Sequence, residues 1–440
     1  MSLIKSIPFE SSTKNDQNFI LSFLALLSIF FVSLFVASDG PTSLVLSTSF
    51  LEVSFDKFSL FVGAIFSVSL FVGLFPIRHE NYVNSSFFYY LIGGLGIILS
   101  NNLLTFFIFW SFQRAIPCFR FIRSMRNEST SAGGTFLLQH LLTFACFVAL
   151  LILATVGGHG SMSFSEIHGD FFTWPVLILT FIIIYESHGV FPFHSWVHDM
   201  VGNLSWYQMS SLFLSRAGVL LFVKFLLPTI NQDPDSFRIV LLSLSIISSI
   251  YWTIKGIFET NVSKTTTYFY VAQSSLILTG LQADIVAARG AYMHMMVISL
   301  SGTALWSLVY YVQRSSSIKR LNQFYGLAQS YPKVATLFCL FGFNMIGTPL
   351  GAVFVSEDLV INGLLENQPF LGLGHILATC LNGILFFMVF SKLFLGQTSY
   401  PQKIKNLDMT HKQMIPYVIL LIMMFSFGIV PSLFLENIKW

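Results

Sequence analysis

Apolar runs of about twenty residues, separated by short polar stretches, recur along the 440-residue chain. A helix of that length spans the roughly 30 Å hydrocarbon core of a bilayer, and backbone groups in lipid must bond within their own segment. The runs predict spanning helices near residues 19–37, 58–76, 86–100, 102–122, 135–156, 174–193, 204–228, 237–258, 265–283, 291–313, 333–348, 350–365, 371–395 and 414–435, about 13–14 transmembrane helices in all. They lack the period-two alternation of barrel strands. The polar stretches at 78–84, 123–130, 157–173, 231–236, 314–322 and 397–405 are too short for a soluble domain. The expectation is an all-α integral membrane protein, with residues 1–440 forming a single polytopic membrane domain.

Composition sharpens this. Charged residues make up 10% of the chain, against about 25% in soluble domains. The apolar share is 54% and the mean hydropathy +0.73. These values exclude a soluble enzyme, a disordered chain and a secreted disulfide scaffold. A net charge of +3 gives no footprint for nucleic acid. Cys118, Cys146, Cys339 and Cys380 stand far apart, with no CxxC or HxxxH spacing for zinc or a cluster. No GxGxxG follows a strand, so the chain offers no motif for NADH, flavin or iron–sulfur. The 49 phenylalanines exceed what packing demands and match the T-rich codons of an organelle genome. Residues 1–18 mix Lys5, Glu10, Lys14 and Asp16, unlike an Arg-rich transit peptide, so 19–37 reads as a first span and not a cleaved signal.

Ionisable residues inside the apolar runs are the candidate chemistry, because each costs roughly 2.5–3.5 kcal/mol on insertion scales. Arg216 lies mid-run in SSLFLSRAGVLLFVKFLLP, eight residues before Lys224, a spacing that puts both on a similar helix face. Lys255 and Glu259 share a face near a span end. Lys264 opens the next span, His140 and His294 lie within runs, Glu357 and Asp358 interrupt VFVSEDLVI, and Lys392 sits in the thirteenth span. The lysines near span ends can snorkel to the interface, and buried histidines often only complete hydrogen bonds. Arg216 and Glu357, with apolar sequence on both sides, point to ion movement, most simply of protons.

Several motifs resemble those of NADH dehydrogenase subunit 4, an antiporter-like proton-pumping subunit of respiratory complex I. FPFHSWVHDM is similar to a Pro-aromatic-His-x-Trp motif, with Pro192, His194, Trp196 and Asp199 in place. LSRAGVLLFVKFLLP resembles the family's Leu-Leu-Lys-x-Gly run, keeping Gly218, Lys224, Phe225 and Pro228, with Arg216 where the family has its central lysine. SAGGTFLLQHLLTFACFVALLI resembles an Ala-Gly-Thr-x-Phe-Leu helix. GTPLGAVFVSEDL is similar to Pro-Gly-Thr-x-Asn-Phe-x-Gly-Glu, giving Glu357 the place of a terminal acid; Gly326, Leu327, Pro332 and Asn344 also fit, and Lys264 matches a lysine opening the next helix. The similarity runs in patches from about Phe106 to Leu359. Subunit 5 of the same complex fits less well, having Lys-Asp in place of Glu357-Asp358, and subunits of multi-subunit Na⁺/H⁺ antiporters are relatives.

The departures fall on the chemistry. A glutamate that the family pairs with its central lysine is absent: FWSFQRAIP places Gln113 there, or Phe112 without a gap. A family histidine is replaced by Ile298 or Ser299, with His294 one turn earlier. Arginine holds its proton in proteins, with a pKa above about 12, so Arg216 is a fixed charge where a lysine could pass a proton on. The resemblance implies an antiporter-like fold with inverted repeats and discontinuous helices, and a proton path through Arg216, Lys224, Lys264, Glu357, His194, Gln113 and His294. Three outcomes stay open: a working axis with Arg216 ordering water, an inert structural subunit, or a partner acid from elsewhere, such as Glu186. The resemblance also implies the mitochondrial inner membrane, neighbouring antiporter-like subunits, a lateral helix of subunit 5, and lipids. It implies no cofactor in this chain, with ubiquinone, NADH, FMN and iron–sulfur clusters in other subunits. A stand-alone transporter would need a complete acid–base pair at mid-membrane, and a scaffold would not need the buried charges.

Overall fold

A computed structural model of the chain describes residues 23–25, 27–34, 44–47, 51–74, 86–127, 133–156, 162–164, 166–167, 171–201, 209, 212–227, 235–316, 318–397 and 408–432. Parts of the expected spans 19–37 and 204–228 lie outside these residues. After the helical residues 23–25 and 27–34 comes a two-stranded antiparallel pair, β1 (Leu44–Ser47) and β2 (Glu52–Phe55), matching Leu44 with Phe55 and Ser47 with Glu52. The apolar-run reading passed over this element, because hairpin strands of four residues are too short to register against twenty-residue runs.

The remainder is helical. The helices are α1 (Lys57–Leu74), α2 (Ser86–Leu99), α3 (Leu103–Asn127), α4 (Gly134–Val156), α5 (Trp174–His188), α6 (Trp196–Met200), α7 (Ala217–Leu221), α8 (Asp235–Phe258), α9 (Val262–Ala283), α10 (Ile285–Ser316), α11 (Pro332–Met345), α12 (Ala352–Asn367), α13 (Pro369–Phe394) and α14 (His411–Ile429). Six helices among the described residues are individually long and apolar enough to cross a membrane: α1, α4, most of α8, α10, α13 and α14. They separate into centre and rim. The apolar stretch of α10 is 89% buried, whereas those of α4 and α14 are 33% and 28% buried. Accordingly α4 turns Leu138, Leu141, Phe144 and Ile152 outward, as a lipid-facing helix does. α9 packs between α8 and α10, and α10 packs on α12 and α1.

Among the described residues, two interruptions of the helical backbone stand beside buried charged groups. The first lies at Ser215 and Arg216, where Arg216 takes φ 49° and ψ 36° before α7 begins; α7 runs into a π-turn, Phe222–Leu226, that carries Lys224. The second separates α11 from α12, with Gly347 (φ 67°) and Leu350 (φ 75°) in the left-handed region. Helix breaks in lipid survive where protein groups take up the freed backbone. Here the buried Gln273 side chain donates to the Met345 carbonyl at 2.8 Å, and Ser215 Oγ donates to the Leu212 carbonyl at 3.0 Å. The first break corrects one expectation. Arg216 and Lys224 are not on one continuous helix, so their eight-residue spacing does not put them on a common face.

Candidate functional site: a buried polar axis around Arg216

Arg216 is 2% exposed. Its left-handed backbone costs an L-residue about 1–2 kcal/mol and aims the side chain from the break toward α9 and α10. Nε donates to Ser299 Oγ (3.1 Å), Nη1 to Ser274 Oγ (2.7 Å), and Nη2 to both the Tyr270 hydroxyl (2.8 Å) and Ser299 Oγ (2.8 Å). The Tyr270 ring also faces the guanidinium, 5.4 Å from its centroid, a cation–π contact. Three hydroxyls and an aromatic face therefore take the place of water around the charge, and no carboxylate is among these partners. Gln113 reaches the same break from α3, accepting from Ser215 Oγ at 3.3 Å. His188, the last residue of α5, stands 3.2 Å through Nδ1 from the Ser274 hydroxyl that Arg216 also holds.

A second group lies toward the other interruption. His294 on α10 places Nδ1 3.1 Å from Ser356 Oγ on α12, and Ser356 precedes the buried Glu357. The Glu357 carboxylate lies against Gly347 in the break itself, so close that a Cβ there would run into it. Among the described residues, no basic side chain forms an ion pair with Glu357. On α13, the buried His375 meets Thr279 of α9 at 3.1 Å.

Lys224 goes elsewhere. Nζ donates to Ser59 Oγ (2.7 Å) and to the carbonyls of Ile98 (2.9 Å) and Ser100 (2.8 Å), and faces Asp56 Oδ2 at 3.8 Å. Asp56 sits just before α1 with its side chain a third exposed, so this ammonium is tied to the surface end of the structure. Burial pushes the Asp56 carboxyl up, but the Lys224 charge and hydrogen bonds from Ser59 and Ser54 outweigh it and hold it below its ordinary value.

Two further candidates are not brought to Arg216. His194 lies half-buried in the turn before α6, its ring against Tyr251 (4.7 Å) and Trp252 (5.7 Å). Lys264 occupies the half-buried first turn of α9, where the Asn261 side chain caps its backbone N–H at 3.2 Å. Lys255 does not pair with Glu259; its Nζ lies 2.6 Å from His198 Nε2, while Glu259 accepts from the backbone of Thr260 and Asn261. These groups are all half-buried, a polar rim of which none is among the described partners of Arg216.

Sequence reasoning passed over His188, His375, Asp56 and Arg114. The first two interrupt apolar runs as Glu357 does and were findable on that ground; Asp56 and Arg114 were hidden by position, one between elements and one beside Gln113. Among the described residues, no group of three or more His, Cys, Asp or Glu side chains could hold a metal ion.

The model of the family described as NADH:quinone oxidoreductase/Mrp antiporter, transmembrane region, matches residues 100–382, a stretch that holds both interruptions and the whole row from Gln113 to His375. The chain belongs to that family. Curated relatives of this antiporter-family chain include the chloroplast NAD(P)H-quinone oxidoreductase chain 4 of Glycine max, 23% identical over 386 residues (81% of this chain and 75% of the relative). Another is NADH-quinone oxidoreductase subunit M of Rickettsia bellii, 22% identical over 354 residues (77% and 70%). Among solved structures, a chain of respiratory complex I from Thermus thermophilus superposes with a TM-score of 0.82 at 16% identity, covering 95% of this chain and 92% of that one. A chain of the Mrp complex from Dietzia sp. gives 0.81 at 15% identity, covering 96% and 90%. These likenesses establish the antiporter-like fold, with its interrupted helices, as that of this chain.

Proposed function

We propose that the chain is a proton-translocating, antiporter-like subunit in the membrane arm of an NADH:quinone oxidoreductase of the complex I type. The observation that carries this reading is the row of buried ionisable and hydroxyl groups meeting at two helix breaks: Gln113, Arg216, Ser274 and His188 at one, His294, Ser356 and Glu357 at the other. Ionisable groups persist inside membrane proteins mainly on ion pathways, and broken helices line such pathways in transporters. Arg216 is a standing charge that orients hydroxyls and water, while Glu357 and the histidines take up and release protons. Lys224 with Asp56 marks one access side, and Lys264 and His194 belong to a polar rim from which protons reach the axis. The chain works as one membrane unit.

In this reading electrons never enter the chain. NADH, FMN, iron–sulfur clusters and ubiquinone belong to other subunits, and the location is the mitochondrial inner membrane. Partners are the other membrane-arm subunits, including neighbouring antiporter-like chains and a lateral helix of subunit 5, with lipid on the outward faces of α4 and α14. A stand-alone cation antiporter is less favoured, because among the described residues no carboxylate bonds Arg216 to complete an acid–base pair. Purification in mild detergent tests the assignment. Copurification with flavin- and iron–sulfur-bearing subunits, and NADH-driven proton uptake into vesicles carrying the complex, are expected. Recovery of the chain only as a homo-oligomer would overturn it.

A further inference from the structure

Gln113 cannot ionise and Arg216 cannot release its proton, so neither supplies a titrating gate. The residue next to Gln113 carries the charge instead. Arg114 on α3 is 3% exposed and lies over two indole rings, 5.2 Å from the centroid of Trp196 and 5.9 Å from that of Trp110. Glu186 on α5 is fully buried and is joined to Arg114 through the Trp196 indole, which lies under the guanidinium and bonds the Glu186 backbone. The one ion-pair contact of Glu186 among the described residues is with His140 of α4, whose Nδ1 lies 3.2 Å from Oε1. That nitrogen also faces the Phe136 carbonyl at 2.9 Å; a carbonyl only accepts, so Nδ1 carries the hydrogen and Nε2 is bare. Trp196 fixes this end of α5 from outside, its Nε1 donating to the Glu186 carbonyl at 2.8 Å. Thr143, Cys118 and Tyr90 complete the surroundings.

We propose that Glu186 is a proton-carrying residue, and that the Glu186–Arg114 couple between α5 and α3 is the gate of this chain, with a fixed cation on α3 and the titrating acid on α5. This rests on the proton-translocating reading above and names the site of its gate. The step involves one bond: Glu186 takes up a proton to form a carboxylic O–H and later releases it, with no redox partner. Arg114 tolerates both states, because its indole contacts do not depend on the charge of Glu186. His140 is a positioning residue beside the carboxylate: its Nδ1 hydrogen goes to the Phe136 carbonyl, and Oε1 lies 3.2 Å from that nitrogen without a hydrogen bond from it. The couple reaches the Arg216 centre through His188, two residues beyond Glu186, which feels both arginines and shares Ser274 with Arg216.

The test uses the whole complex in vesicles carrying Glu186→Gln or Glu186→Asp. Removing a positioned proton carrier slows transfer roughly a hundredfold or more, so E186Q is expected to lose this chain's share of protons per NADH while the complex still oxidises NADH. An unchanged ratio in assembled E186Q overturns the proposal. If E186Q fails to assemble, E186D decides through the redox-induced infrared difference spectrum. A carboxylic-acid band displaced from its wild-type position supports a titrating Glu186, and a spectrum identical to wild type overturns it. Loss of the ratio in Glu357→Gln but not in E186Q sinks only this gate; no loss in either sinks the proton-translocating reading itself.

Discussion

Replacing Ser274 and Ser299 together by alanine should harm the protein more than replacing Arg216 itself. The two serines accept three of the four hydrogen bonds from the guanidinium. Without them the charge stays buried with one tyrosine hydroxyl and one aromatic face. Stripping the partners from a buried charge costs about 3–5 kcal/mol, roughly a hundredfold to several-thousandfold in folded population at about 1.4 kcal/mol per factor of ten. Arg216→Met removes the charge together with its desolvation penalty, and Ser299 keeps its own bond to the Met295 carbonyl at 2.7 Å. Exchanging a buried ionic group for an apolar one is often close to neutral, here within about 2 kcal/mol. The triple variant S274A/S299A/R216M should therefore recover most of what the serine pair loses. Thermal unfolding of the detergent-purified complex, with the amount of assembled subunit as a second readout, measures all three. Equal losses in R216M and in the serine pair, with no recovery in the triple variant, would refute the view that the serine hydroxyls carry most of the solvation of this charge.

Three other outcomes are expected. Asp56→Asn should destabilise by at most about 1 kcal/mol after solvent screening. Because the folded carboxyl is held below its ordinary 3.8, the difference from wild type is fully present above that pH and fades as pH falls further; a difference that grows on acidification would contradict the sign. Gly347→Ala should abolish proton transfer through Glu357 although position 347 carries no ionisable group, since its φ is 67° and a Cβ would displace the carboxylate; transfer at the wild-type rate would disprove the close approach. Gly218→Ala should cost about 1–3 kcal/mol by overpacking, because its Cβ would lie 2.7 Å from the Ile184 carbonyl and crowd the His188 ring; thermal unfolding reads this directly.

The helices were legible because hydropathy encodes them. The expected spans at 237–258, 265–283 and 371–395 appear as Asp235–Phe258, Val262–Ala283 and Pro369–Phe394. Where prediction failed, the backbone obeys contacts that no local pattern carries. Nothing in LSRAGV announces a left-handed arginine. That conformation is held by hydroxyls 54 to 83 residues away in sequence. The candidate residues divide in the same way. Arg216 and Glu357 drew notice because they interrupt apolar runs. Sequence could not foresee that Lys224 turns toward Asp56, or that His194 and Lys264 stay at the rim, since direction within a run depends on which helix lies beside it. A polar surround for Arg216 was foreseeable from the cost of an unsolvated charge; that it consists of serines and a tyrosine was not.

The central claim is that these buried groups move protons, and the count of protons translocated per NADH oxidised, in vesicles whose complex carries Glu357→Gln, tests it most directly. The account predicts a lower count with NADH oxidation and assembly retained. A count equal to that of the wild-type complex would contradict it.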